Sequence, residues 1–393
     1  MQKVQWKPIR NTFLPYARQW IDDADIQAVT DVLQSDYLTT GPKIKEFEQA
    51  IAQFVGAKYA VSFANGTAAL HGACFAAGIH KGDEVICTPM TFAASSNCVL
   101  YCGGNPVFAD IDSRTYNMDP AEIEKKITAR TKAIIPVDYT GQPAQLDEIM
   151  ALARKHHLTV IEDGAHSLGS HYKGKKVGSI SDMTMFSFHP VKQITSGEGG
   201  MITTNEEAYY EKLLQFRSHG ITRDAKYLEK CDGPWYYEMQ FLGYNYRMTD
   251  IQAVLGISQL SKIEKFIDAR KQIVERYNEA FQAIPELTVP YQHPDTDSSW
   301  HLYILRLKTD KINADRREIF EALRAQNIGV NVHYLPVYLH PYYRELGYER
   351  GLCPNAEKHY DEIITLPLFP KMTEQDVRDV IQAVTGTISY LAK

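Results

Sequence analysis

The sequence predicts an α/β protein with two domains: a large one (residues 13–260) built on a mainly parallel sheet, and a smaller C-terminal α/β domain (residues 261–393). Three observations carry this. The chain has 393 residues, more than one small core organises. From Lys58 to about Asn205, short β-branched runs alternate with helical stretches, the pattern of a sheet covered on both faces. Past Gly243 the texture changes to long helix, then prolines, then a second, smaller α/β pattern.

The expected strands of the large domain are Tyr59–Phe63, Val85–Thr88, Pro106–Asp110, Ala133–Val137, Thr159–Glu162, Met183–Phe188 and Met201–Thr204. Amphipathic stretches such as Asp119–Ile127 and Gln145–His156 lie between them. Asp250–Ala283 reads as one long helix, with Ile251, Val254, Leu255, Ile257, Leu260 and Ile263 near helical spacing. Pro285, Pro290 and Pro294 punctuate the chain after it. Further strands are expected near His301–Leu307 and Gly329–His333, and a last helix from Thr373.

Composition excludes several functions. At net charge −6 the chain is a poor candidate for a broad basic surface that grips nucleic acid. The start, MQKVQWKPIR, has no apolar run behind its positive charges and does not read as a secretory signal. No stretch approaches the ~20 apolar residues of a membrane span. The six cysteines show no CxxC pair, and the thirteen histidines form no HExxH. No metal site is expected, and the cysteines read as small core residues of a cytoplasmic protein.

Ligands of such sheets bind where strand C-termini feed into loops, and five segments stand there. In Thr159-Val-Ile-Glu-Asp-Gly-Ala-His166 a buried-strand pattern ends in acids; Asp163 either caps the next helical turn or holds a cationic ring nitrogen. Lys192 comes after a strand, inside a turn-rich segment, and is surrounded by Phe186, Phe188, Val191 and Ile194. Partial desolvation there would depress its pKa and free the amine for covalent chemistry. Asn65-Gly66-Thr67-Ala68 opens a helix whose free N–H groups suit a phosphate, with Ser187 able to add a hydroxyl. Phe92 either staples the next helix or stacks on a flat heteroaromatic ring, and both readings weigh evenly. Asn245 and Arg247, in Gly243-Tyr-Asn-Tyr-Arg-Met-Thr249, either cap the long helix or reach a phosphate, in the second case across a subunit boundary.

Taken together and in this order, these segments resemble the DegT/StrS-type nucleotide-sugar aminotransferases. The likeness runs from Phe13-Leu-Pro through Gly41-Pro, Asn65-Gly-Thr-Ala-Ala-Leu, Glu162-Asp and Ser187-Phe-His-Pro-Val-Lys to Gly243-Tyr-Asn-Tyr-Arg-Met. It implies the aspartate aminotransferase fold (fold type I) and pyridoxal phosphate (PLP) as cofactor. Lys192 then holds the cofactor covalently and moves the proton, and Asp163 pairs with the ring nitrogen. Gly66, Thr67 and Ser187 bind the phosphate, Phe92 stacks on the ring, and Asn245 comes from the neighbouring subunit of a homodimer. The family usually has a glutamine near the ring hydroxyl where this chain has His166. Within the family, Ser-Phe-His-Pro-Val-Lys, Arg217-Ser-His-Gly220 and Asn331-Val-His-Tyr334 look closest to the pseudaminic acid enzymes. That implies transfer from glutamate to C4 of a UDP-linked 4-keto-6-deoxy-N-acetylhexosamine. Tyr16, Asp36, Tyr37, Leu38, Thr39, Asn245, Asn331, Val332, His333 and Tyr334 would line the sugar site. The alternatives are another keto sugar for the same reaction, or a non-catalytic PLP-binding regulator.

Overall fold

The computed structural model describes residues 6–393; the first five residues of the start MQKVQWKPIR lie outside it. Seven strands form the central sheet: β1 (Tyr59–Phe63), β2 (Glu84–Cys87), β3 (Asn105–Phe108), β4 (Thr131–Ile135), β5 (Thr159–Asp163), β6 (Met183–Ser187) and β7 (Gly200–Thr204). Their spatial order is β1-β7-β6-β5-β4-β2-β3. All neighbours pair in parallel except β7, which runs against both β1 and β6. The loop from Phe188 to Gly199 holds no helix, so β7 returns directly beside β6 in the reverse direction.

The residue types explain why the sheet is covered on both faces. Along β5, Val160 packs into one apolar cluster with Ile86, Ile134, Leu146 and Ile149. Ile161 packs into another, with Val61, Phe63, Val85 and Ile135. The helices that do the covering are α2 (Pro42–Val55), α3 (Gly66–Ala76), α4 (Ala94–Tyr101), α5 (Pro120–Lys126), α6 (Leu146–His156) and α7 (Glu207–Phe216), while α1 (Asp23–Leu33) lies against the later helix that begins at Asp250.

The expected long helix is two helices, α8 (Asp250–Leu260) and α9 (Ile263–Phe281). The break has a local cause. Ser261 Oγ donates to the Ser258 carbonyl at 2.7 Å and the Lys262 N–H turns to the Gln259 carbonyl three residues back, so the four-residue ladder stops. Lys262 then reaches Asp22 at 2.8 Å and Asp25 at 2.6 Å on α1. The first turns of α9 (Ile263, Phe266, Ile267) pack with Phe47 and Phe188, and its later turns (Ile273, Val274, Tyr277, Phe281) join the carboxy-terminal core.

That core lies around an antiparallel sheet of β8 (Leu287–Thr288), β9 (Tyr303–Leu307) and β10 (Ile363–Leu366), with α10 (Arg316–Ala325) and α11 (Glu374–Leu391) against it. Thr373 caps α11 in a reciprocal capping box with Asp376. The strand expected at Gly329–His333 does not form; one bridge, Asn331 to Thr365, remains. The Gly329 N–H goes to the Leu14 carbonyl at 2.7 Å, and the Val332 N–H goes to the side chain of Asn331 at 2.8 Å, so the donors a ladder needs are taken. Among the described residues no helix is long and apolar enough to cross a membrane.

Candidate active site

The candidate residues gather at the C-terminal edge of the parallel strands. β5 ends in Asp163, β6 in Ser187, β1 leads into α3 at Gly66, and β2 leads to Phe92 and Ser95. Because side chains alternate along a strand, Glu162 and Asp163 point to opposite faces. Glu162 is held under the sheet by Ser181 and Thr184, both at 2.9 Å. Asp163 is buried on the site face, accepts from Ser95 Oγ at 2.6 Å and from the Ala165 N–H at 3.1 Å, and feels the charge of Lys192. Burial pushes its carboxyl above the ordinary range, and those two donors and the lysine pull it back. Ser95 was not singled out from the sequence. Its signal in the sequence is its place in the segment of Phe92, three residues on.

Burial brings the amine of Lys192 from the usual lysine value to about 8, against the opposing pull of Asp163. The residue as a whole is partly exposed, while its amine is enclosed by protein. At pH 7 about a tenth of such an amine is unprotonated, against fewer than about one in 10³ for an ordinary lysine. An amine-directed acylating reagent on the apoprotein is expected to label Lys192 faster than any other lysine, with a half-maximal rate near pH 8. Labelling spread evenly over the lysines would contradict this.

The phosphate expectation is supported by the local geometry. Gly66 and Thr67 are the first residues of α3, where the N–H groups have no carbonyl within the helix. Asn65 caps it, accepting from the Ala68 N–H at 2.8 Å. A Cβ on Gly66 would lie 3.4 Å from Ser187 Oγ and 3.3 Å from Met185 Sδ, so the bare glycine leaves a cradle between helix start and hydroxyl. Gly200 backs it from β7: a Cβ there would lie 2.5 Å from the Asn65 carbonyl oxygen and 2.8 Å from the Gly66 nitrogen. Gly200→Ala must therefore displace the start of α3. The substitution is expected to cost about 1–3 kcal/mol of stability and to weaken PLP binding in a fluorescence titration; unchanged affinity would show that the cradle lies elsewhere.

His166 is buried, its Nε2 lies 3.3 Å from the Tyr334 hydroxyl, and its Nδ1 has no partner among the described residues. Burial, with the charge of Lys192 and then His333, holds it neutral. This orphaned nitrogen, the cradle at Gly66 and the buried carboxylate of Asp163 fit a phosphorylated, protonated heteroaromatic aldehyde. His333 pairs through Nδ1 with Thr365 Oγ1 at 2.9 Å and contacts Asn331 through Nε2 at 3.4 Å; burial brings it to about 3. Tyr16 lies 5.2 Å ring to ring from His333, and burial raises its hydroxyl above the usual tyrosine range while Asn331 pulls it back. Val332 packs against the large core. The Asn331–Tyr334 arm and Tyr16 thus close on His166.

Other expected residues stand apart within one chain. Phe92 is 64 % exposed and Tyr37 56 %, and Asp36, Leu38, Thr39 and Asn245 are exposed too. The bonds of Leu38 and Thr39 run to the start of α8: the Leu38 carbonyl accepts from Asp250 at 3.0 Å, and Thr39 bridges Thr249. Asn245 bridges Ser218.

Residues 19–385 match the sequence model of the DegT/DnrJ/EryC1/StrS aminotransferase family. The chain belongs to that family. It is 48 % identical to an uncharacterised protein of Methanocaldococcus jannaschii (97 % of this chain, 99 % of that one) and 44 % identical to the spore coat polysaccharide biosynthesis protein SpsC of Bacillus subtilis (96 % and 98 %). Among solved structures it matches Helicobacter pylori PseC, an aminotransferase involved in the biosynthesis of pseudoaminic acid, at TM-score 0.90 and 34 % identity (97 % and 100 % covered). A Streptococcus pneumoniae protein described as a sugar aminotransferase, in its PLP form, matches at TM-score 0.90 and 32 % identity (97 % and 100 %). The protein is thus a PLP-dependent aminotransferase with the fold type I architecture.

Proposed function

We propose that this aminotransferase carries the amino group of glutamate to C4 of a UDP-linked 4-keto-6-deoxy-N-acetylhexosamine. The observation that carries the reading is the half-buried Lys192, its amine brought to about 8, beside the buried carboxylate of Asp163. PLP, when bound, supplies an electron-withdrawing ring that lets a carbon bearing the transferred nitrogen give up a proton. Lys192 Nζ is the group that takes and returns that proton, first on the amino acid and then on the sugar carbon. Asp163 holds the ring nitrogen protonated, Gly66, Thr67 and Ser187 take the phosphate, His166 faces the ring oxygen, and Phe92 offers its exposed face to the ring. Tyr16, Asn331, Val332, His333 and Tyr334 receive the sugar. Likeness over 97 % of the chain to PseC, an aminotransferase involved in the biosynthesis of pseudoaminic acid, supports a sugar acceptor of that pathway.

The exposed set Asp36–Thr39 and Asn245 completes the site of a second copy in a homodimer. Mixing Lys192→Ala and Asn245→Ala subunits tests this. About a quarter of the wild-type rate is expected to return, because half the dimers are mixed and each holds one intact site. No recovery would place Asn245 in its own subunit's site, and an Asn245→Ala protein active by itself would place it outside.

A second reading, the same transfer onto another nucleotide-linked keto sugar, draws on the higher identity to SpsC. Mass analysis of the product from glutamate and a UDP-4-keto sugar, beside dTDP-linked and 3-keto counterparts, decides between them. Amination of the UDP-4-keto sugar alone is expected; amination of a dTDP sugar alone would favour the second reading. Yellow protein inert towards glutamate would instead point to a regulator.

A further inference from the structure

Gln193, buried beside Lys192, donates from Nε2 to the carbonyl of His166 and, at 2.9 Å, to Ser299 Oγ. Ser299 Oγ donates to the same carbonyl at 3.1 Å, and the Ser299 N–H donates to Ser170 Oγ at 2.9 Å. The segment Ser299–His301, which leads into β9, is therefore fastened between the lysine loop and the turn of His166. Trp300 takes φ +52°, a left-handed conformation that a bulky residue adopts only where its surroundings force it. Beyond it the His301 N–H donates to the Thr140 carbonyl at 2.8 Å.

The imidazole of His301 is buried, its centroid 4.3 Å from that of His166 with the planes tilted by 38°, and its Nδ1 has no partner among the described residues. Behind it lies Arg270, fully buried and without a carboxylate partner among the described residues. Arg270 donates to the Leu368 carbonyl at 2.9 Å and more loosely to those of Trp300 and His301, both at 3.4 Å. A cation on each side, Lys192 and Arg270, adds to burial in keeping His301 neutral.

We propose that His301 is a positioning residue of the active site, its imidazole backing the ring of His166 and fixing where the Nδ1 of His166 stands. A histidine at position 166 has a ring that must be held against rotation, and offset aromatic packing at this spacing does so. This rests on the reading of Lys192 as the cofactor's anchor.

The test compares wild type, His301→Ala, His301→Phe and His301→Asn in three readouts: the dissociation constant for PLP of each apoprotein, the position of the visible band of the covalently held cofactor, and the melting temperature of the apoprotein. His301→Ala is expected to weaken PLP binding about tenfold, the upper range for one aromatic pair, and to move the band. His301→Phe, which keeps a flat ring, is expected to stay near wild type. Should the alanine variant fail to fold, His301→Asn, polar but without the ring, is expected to show the same weakening and shift. Wild-type affinity and band in the alanine or asparagine variant would overturn the proposal, as would a phenylalanine variant no better than alanine. Failure of wild type to hold PLP on Lys192 would strike the anchor itself, which these variants do not address.

Discussion

Lys192→Ala is expected to abolish turnover, lowering the rate by roughly 10⁴-fold or more, because in the proposed mechanism one side chain serves as covalent anchor, base and acid. The variant still has the cradle at Gly66, Thr67 and Ser187 and the carboxylate of Asp163, so it is expected to bind PLP without a covalent bond. Its visible band should shift from that of a protein-bound imine to that of the free aldehyde. The fold should survive, since the side chain makes no hydrogen bond that holds the loop; Gln193 and Thr195 do that. Removing a buried amine whose proton is disfavoured is not expected to lower the melting temperature of the apoprotein. Near-normal turnover in this variant would remove Lys192 from the chemistry.

The second large effect is expected at Asp163. Asp163→Asn keeps shape and removes the charge that holds a protonated ring nitrogen, and turnover should fall on the order of 10³-fold. Ser95→Ala removes one donor at 2.6 Å and leaves the carboxylate, so a loss of about tenfold is expected. Burial raises the Asp163 pKa, while the Ser95 hydroxyl, the Ala165 N–H and the charge of Lys192 lower it. Loss of Ser95 therefore makes the carboxylate harder to keep ionised, and the activity of Ser95→Ala should begin to fail at a higher pH on the acid side. Pre-steady-state rates of each half-reaction across pH separate this from weaker binding. Full turnover in Asp163→Asn would mean that the ring nitrogen is held elsewhere.

The strands of the large sheet were legible because each is a short β-branched run between turn residues, and the observed bounds differ from the expected ones by only a few residues. The reversal of β7 was not, since direction depends on what connects two strands rather than on the residues within them. Asp250–Ala283 misled because helical spacing continues through Ser261 and Lys262, whose side chains are satisfied by Ser258 and by the acids at 22 and 25. Gly329–His333 misled because Asn331 captures a neighbouring N–H with its own side chain, which no periodicity shows.

In the candidate site, Asp163, Lys192, Ser187 and the Gly66 helix start could be proposed from the sequence because each sits at or just past the end of a strand. Ser95, Gln193, Ser299 and His301 were not, because their importance lies in bonds between segments far apart in sequence. Asp36–Thr39 and Asn245 were readable only through the family likeness, and one chain alone does not join them to Lys192.

The most direct measurement is borohydride reduction of the PLP-loaded protein and then peptide mass mapping. A phosphopyridoxyl group on the peptide that contains Lys192, and on no other, is the expected result. Its appearance on a different lysine, or on none, would contradict the assignment of this side chain as the cofactor's anchor.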